Sequence, residues 1–155
     1  MPVAYLAGPI VDPFSHLALT SLVSRKPKVL LAGLLPDAPW YLLYPIWLWR
    51  RRVELRAILQ KGKWPLPPPW IQHSHYAAHS LLALLLVWAV GRSQPARYKP
   101  YAVAWLLHLL VDIPTHSRDR MGPRIFWPFS DWAFNGVSWA DGLARWLGAW
   151  LRKET

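Results

Sequence analysis

His108-Leu-Leu-Val-Asp112-Ile-Pro-Thr-His116 places a histidine, a carboxylate and a second histidine at successive four-residue intervals inside an apolar segment. Residues four apart stand on one face of a helix, so His108 and Asp112 point at the same spot. Pro114 is expected to break that helix and let His116 fold back toward the pair. Ionisable groups are costly in apolar surroundings unless something pairs with them. The stretch therefore reads as an inward-facing helix of a bundle that carries a site. Imidazole together with carboxylate is a donor set for a divalent metal.

The rest of the chain fits a helical body with a real core. Its 155 residues suffice for one domain, and no internal repeat divides it, so residues 1–155 read as a single unit. The chain is 54% hydrophobic and holds 12 tryptophans, a residue that favours membrane–water interfaces. Eighteen Lys and Arg against eight Asp and Glu give a net charge of +10, which attracts anions: lipid headgroups, nucleic acid or a phosphate-bearing substrate. The charge is spread along an apolar chain, which excludes a disordered basic tail. There are no cysteines, so disulfides and thiolate metal sites are excluded and any metal must use His, Asp or Glu. The first residues, Met1-Pro-Val-Ala-Tyr-Leu-Ala-Gly-Pro9, lack the basic start and long apolar run of a cleavable signal.

About five helices are predicted. Asp12-Pro13 reads as an N-cap and first helical proline, opening a helix over 13–25 that carries His16. A second runs over 39–60, passing from a Trp- and Leu-rich start to the cationic Arg50-Arg51-Arg52. A third runs over 70–90 with His73, His75 and His79, a fourth over 100–113 with the opening motif, and a last over 138–153 with Trp139, Trp146 and Trp150 on one face. Between them lie Pro-rich and aromatic loops, among them 63–69, with four prolines, and 114–130. Phe134-Asn135-Gly136-Val137 has the composition of a type I′ hairpin turn. A bilayer span needs about 20 mostly apolar residues, and every candidate here is interrupted by Pro, Asp or His. All the connections are basic, against the alternation of a simple polytopic protein. The expected architecture is an all-α, compact, membrane-associated bundle, with full spanning left open.

Four clusters can carry chemistry: His16; Asp37 in Leu34-Leu35-Pro36-Asp37-Ala38-Pro39; His75-Tyr-Ala-Ala-His79; and His108 with Asp112 and His116. Each has a plainer reading. His16 alone reads more readily as a buried polar residue, and Asp37 as a helix N-cap. The pair His75 and His79 stands evenly between ligand and packing roles. An unpartnered Asp112 amid Leu106 to Val111 would be costly, which favours a ligand role. One metal centre would account for all four clusters. Past the motif, Arg118, Arg120 and Arg124 flank Asp119. They are candidates to grip a phosphate bidentately, or else form a solvated basic loop.

The order His16, Leu-Leu-Pro-Asp37, Ala-His79-Ser-Leu-Leu, His108-x-x-x-Asp112-x-x-Thr115 and Phe126-Trp127-Pro128 resembles a family of bacterial and archaeal inner-membrane proteins. They are described as membrane-bound metal-dependent hydrolases of the LexA-binding type, and are loosely similar to zinc-dependent phospholipase C-like proteins. The chain departs from the family pattern at Pro39, where a second aspartate is usual. It also departs at His75, which is offset from the usual preceding histidine, and at His116, which follows Thr115 where proline is common.

The resemblance implies a prokaryotic inner-membrane hydrolase with Asp37, His108 and Asp112 in catalysis. Taken with the four clusters, the expected metal ligands are His16, Asp37, His75, His79, His108, Asp112 and His116, of which His75 and His116 stand outside the family pattern, holding one or two ions, zinc first, with manganese or magnesium as alternatives. A phosphoester or lipid would be the substrate, bound by Arg118, Arg120 and Arg124 among membrane lipids. The competing expectation is a non-catalytic bundle that binds a protein partner, its polar residues or metal being structural. Nucleic acid is not an expected partner, since no binding motif accompanies the charge.

Overall fold

Proline placement dictates most of the element boundaries in the computed structural model, which describes residues 12–52, 65, 67–118 and 122–137. Helix α1 (Asp12–Val23) has Pro13 in its first turn. Lys26, held extended by the following proline, leads into α2 (Pro27–Ala32). Prolines 36, 39 and 45 each remove a backbone donor within ten residues. A regular helix is not sustained there. The chain instead makes a 3-10 turn (Leu35–Asp37), a wide π turn (Pro39–Leu43) and then α3 (Tyr44–Arg50). The single helix expected over 39–60 is thus a π turn and a short α-helix as far as Arg50, and 53–64 lie outside the described residues. The helix expected over 138–153, with its tryptophan face, also lies outside them.

The helix expected over 70–90 is two helices, α4 (Pro69–Ala78) and α5 (Leu81–Gly91), bent by 53°. Ser80 makes the break. Its Oγ accepts the Ala83 N–H at 3.1 Å, capping α5, and donates to the Ala77 carbonyl at 2.7 Å. The freed Leu81 N–H goes to the Ile125 carbonyl at 2.8 Å. Helix α6 (Pro95–Thr115) is longer than the expected 100–113 and runs through Pro114. A proline in the last turn costs one main-chain bond only, and the His116 N–H still reaches the Asp112 carbonyl at 3.1 Å. His116 is therefore the first extended residue after α6, and its ring comes back toward Asp112 without a break at Pro114.

The hairpin expected at 134–137 is also corrected. No strand occurs among the described residues, and this segment lies along the end of α6. Gly136 N–H bonds the His116 carbonyl at 3.0 Å, and Val137 N–H bonds that of Pro114 at 2.9 Å. A Cβ on Gly136 would stand 2.3 Å from the Pro114 oxygen, so glycine is needed for close approach, not for a turn.

Helix α6 packs against α1, α2 and α5. Among the described residues the buried polar side chains, His16, Thr20, Asp37, His75, His79, Ser80, His108 and Asp112, match in number the buried hydrophobic ones, Val29, Ala32, Tyr44, Ile71, Tyr76, Ala104, Leu109 and Ala133. Large apolar side chains face outward in compensation, Leu22, Trp49, Val90 and Phe129 among them. Among the described residues no single helix is long and apolar enough to cross a membrane. The bent pair α4–α5 meets the length and composition together.

Ser80→Ala removes the α5 cap and should destabilise the protein by about 1 kcal/mol. Thermal unfolding should register this as a fall in Tm of roughly 3 °C for a chain of this size, with Ser80→Thr close to wild type. An unchanged Tm in Ser80→Ala would show that the cap does not hold the bend.

Candidate metal centre

Asp37, His79, His108 and Asp112 converge from three parts of the chain, and one ligand atom of each lies within 4.8 Å of every other. The 3-10 turn delivers Asp37, the α4–α5 break delivers His79, and one face of α6 delivers His108 and Asp112. All four are buried, from 0% exposure at His79 to 5% at Asp37.

Two backbone carbonyls fix the tautomers. His79 Nδ1 lies 2.9 Å from the His75 carbonyl oxygen, and His108 Nδ1 lies 2.8 Å from that of Gly33. A carbonyl only accepts, so both Nδ1 atoms must donate, and in the neutral rings both Nε2 atoms carry lone pairs. Those Nε2 atoms face each other at 3.1 Å. Asp112 Oδ2 stands 3.0 Å from one and 3.1 Å from the other, and Asp37 Oδ1 is 3.4 Å from His79 Nε2. Four acceptor atoms thus surround one point, and only a cation or a proton can satisfy them. A zinc ion with Zn–N bonds of ~2.0–2.1 Å separates tetrahedral ligands by roughly 3.3–3.4 Å. The observed spacings are close to that. Carbonyl groups that orient the distal imidazole nitrogens are the usual second layer of such sites.

Without metal, protons and neighbouring charges divide the work. Burial pushes Asp37 upward, but hydrogen bonding and charge from His79, with the charge of His108, outweigh it and bring its carboxyl down to about 2. Asp112 is likewise held well below the usual range, burial being overcome by His108, His16 and His79. Burial pushes His79 down, but its bonds to Asp112 and Asp37 prevail and raise it to about 10. A metal must therefore displace a proton from His79.

The other candidates stand around this core. His16, on α1, stacks on the His108 ring with centroids 3.8 Å apart. Its Nε2 is 3.1 Å from Asp112 Oδ1 and 3.9 Å from Asp37 Oδ2. Asp112 thus turns one oxygen to His79 and His108 and the other to His16. His116 Nδ1 lies 3.7 Å from Asp112 Oδ1 and 3.2 Å from the Asp112 carbonyl, so its nearest nitrogen serves the main chain. The His75 ring lies 3.9 Å from that of His79, outside the converging four. Burial, reinforced by His79, lowers it to about 3 and keeps it neutral.

Arg118 donates from Nε and Nη2 to the Ala133 carbonyl. Arg124 pairs with Asp131 and lies over the Tyr76 ring at 4.2 Å. Both guanidinium groups tie down the 122–137 segment. Arg120 lies outside the described residues.

Two contributors were not singled out in the sequence. Thr20 is buried against Gly33, and Gly33 must be glycine: a Cβ there would stand 2.1 Å from Thr20 Oγ1. The only signal was a glycine inside the apolar run 29–35. Gly33→Ala should push the 33 carbonyl off His108 and weaken zinc binding by roughly 10–100-fold, the usual loss for an outer-layer partner. Adding Thr20→Ala should restore part of it. Equal affinity in wild type and Gly33→Ala, measured by competition with a chelator, would remove Gly33 from the centre.

Comparison of the chain with protein-family models, with curated proteins and with solved structures gave no match.

Proposed function

We propose that the protein is a membrane-associated, metal-dependent hydrolase acting on a phosphoester. The observation that carries this reading is the confrontation of the His79 and His108 lone pairs between two carboxylates. Asp37, His79, His108 and Asp112 would hold the ion, zinc by its preference for imidazole with carboxylate, with manganese or magnesium as weaker fits. A bound divalent ion lowers the pKa of a water toward neutrality and stabilises charge on a phosphoryl oxygen.

The chain's own residues supply the remainder. Asp37 Oδ2 is buried and accepts no hydrogen bond among the described residues, and with its carboxyl held down to about 2 it stays ionised, an acceptor available to the ion or to a water bound there. His108 and Asp112 keep their orientation through α6 and the Gly33 carbonyl. His16, beside Asp112 Oδ1, would complete a second cation position if two ions bind. The net charge of +10 favours an anionic substrate. Arg118 and Arg124 are already occupied within the chain, so a phosphate would have to share them. The resemblance to inner-membrane metal-dependent hydrolases agrees with this reading, and so do the outward-facing apolar side chains.

One observation favours a second reading. The four ligands are almost wholly buried, and closed sites are characteristic of structural metals. In that case the ion would hold α6 to the 3-10 turn and the α4–α5 break, and the protein would act by binding a partner.

Elemental analysis of the full chain in detergent should find stoichiometric zinc or manganese. His108→Ala and Asp112→Ala should lose it, together with hydrolysis of bis-p-nitrophenyl phosphate. Unchanged metal content in both variants would refute the centre. Full metal occupancy without hydrolysis, coupled to a large fall in Tm on chelation, would establish the structural reading instead. At neutral pH, zinc uptake should also release about one proton, from His79, measurable by calorimetry in buffers of differing ionisation enthalpy. Binding without proton release would exclude His79 as a ligand.

A further inference from the structure

Helices α5 and α6 leave a trough between them that shares no residue with the metal centre. It has a volume of about 390 Å³, within the range of small-molecule pockets. Its walls are apolar, with Leu84 and Trp88 on one side and Val103 and Leu106 on the other. The cations Arg92 and Lys99 stand with them in the lining. Arg92 follows α5 directly and Lys99 lies near the start of α6, so they sit together at one end of the trough. Gly91 brings the helices close at that end, since a Cβ there would stand 2.5 Å from Tyr98 Cβ.

Among the described residues neither cation is neutralised. No Asp or Glu occurs anywhere from residue 55 to 111, and among the described residues no carboxylate pairs with Arg92 or Lys99. Both side chains are exposed. An apolar trough with uncompensated positive charge at one end matches an amphiphile with a long apolar part and an anionic head.

The outer face of α5 decides the source of that amphiphile. Leu86 and Val90, which do not line the trough, are each more than half exposed, as are Leu85 and Trp88 at its rim, and α5 has no charged residue along its length. A soluble anion filling the trough would leave this face in water. A bilayer covers both at once.

We infer that the α5–α6 trough is a docking site for an anionic membrane phospholipid, its acyl chain between Leu84, Trp88, Val103 and Leu106 and its phosphate at Arg92 and Lys99. The inference rests on the trough alone and not on the chemistry of the metal centre.

The full chain should be titrated with vesicles of phosphatidylcholine, and of phosphatidylcholine mixed with phosphatidylglycerol, by co-flotation. Wild type should prefer the anionic vesicles. Arg92→Gln/Lys99→Gln should lose roughly 30-fold in affinity for them, from two cations near an anionic surface, with binding to phosphatidylcholine unchanged. Acyl-brominated phosphatidylglycerol should quench less fluorescence in Trp88→Phe than in wild type. Ala102→Phe, which fills the trough, should reduce that quenching while leaving the preference for anionic vesicles. Equal affinity for both vesicle types, or no effect of the double substitution, would overturn the site. Concentration-dependent dimerisation abolished by Leu85→Gln/Leu86→Gln, without anionic preference, would assign the face to a second copy and overturn it equally. Metal content should match wild type in all these variants, so failure here is separable from failure of the hydrolase reading.

Discussion

Two imidazole lone pairs, 3.1 Å apart and flanked by two buried carboxylates, form the constraint around which the molecule is arranged. Repulsion between such acceptors in a low-dielectric interior is severe, and bringing them together requires a positive charge at their centre. Without metal, that charge is a proton on His79. With metal, it is the ion. Either way the cluster joins the 3-10 turn, the α4–α5 break and the face of α6, which local backbone bonding would not hold together.

This arrangement explains the irregular chain. His79 reaches the cluster at the point where Ser80 ends one helix and starts another. Asp37 sits in a turn that Pro36 and Pro39 keep from becoming a helix. Gly33 supplies its carbonyl to His108 at a place where Thr20 leaves no room for a side chain. Each departure from regular helix places one donor or one orienting group. With the interior occupied by polar side chains, many large apolar residues face outward, and the trough between α5 and α6 is part of that outer surface.

His108 and Asp112 were legible from spacing alone, because i and i+4 on a helix must share a face. The same rule offered His75 and His79 as equals. Their rings do lie together, yet only His79 Nε2 enters the cluster, since the His75 carbonyl turns the His79 ring inward. That ring orientation is not given by the spacing, which places both side chains on one face. Asp37 was among the candidate ligands, but taken alone it read more readily as a helix cap, because aspartate before a proline-led helix usually is one. No side-chain cap forms there, and the carboxylate goes to the histidines. The helix over 70–90 was read as continuous because its apolar composition hid a single serine cap. Pro114 was read as a break, but a proline in the last turn of a helix sacrifices little. All-helical architecture was readable from composition and periodicity. The joints that build the site were not: the α4–α5 break turns on a single serine cap, and the His108 ring is set by a carbonyl 75 residues away.

The central claim is that one divalent ion is held by His79, His108, Asp37 and Asp112. Zinc-edge X-ray absorption on the purified full chain addresses it most directly. The account predicts a low-coordination shell with two imidazole nitrogens at ~2.0–2.1 Å and carboxylate oxygens at ~2.0–2.2 Å, with outer-shell imidazole scattering that falls in His108→Ala. A shell of oxygens alone, as for an adventitious surface ion, would contradict it.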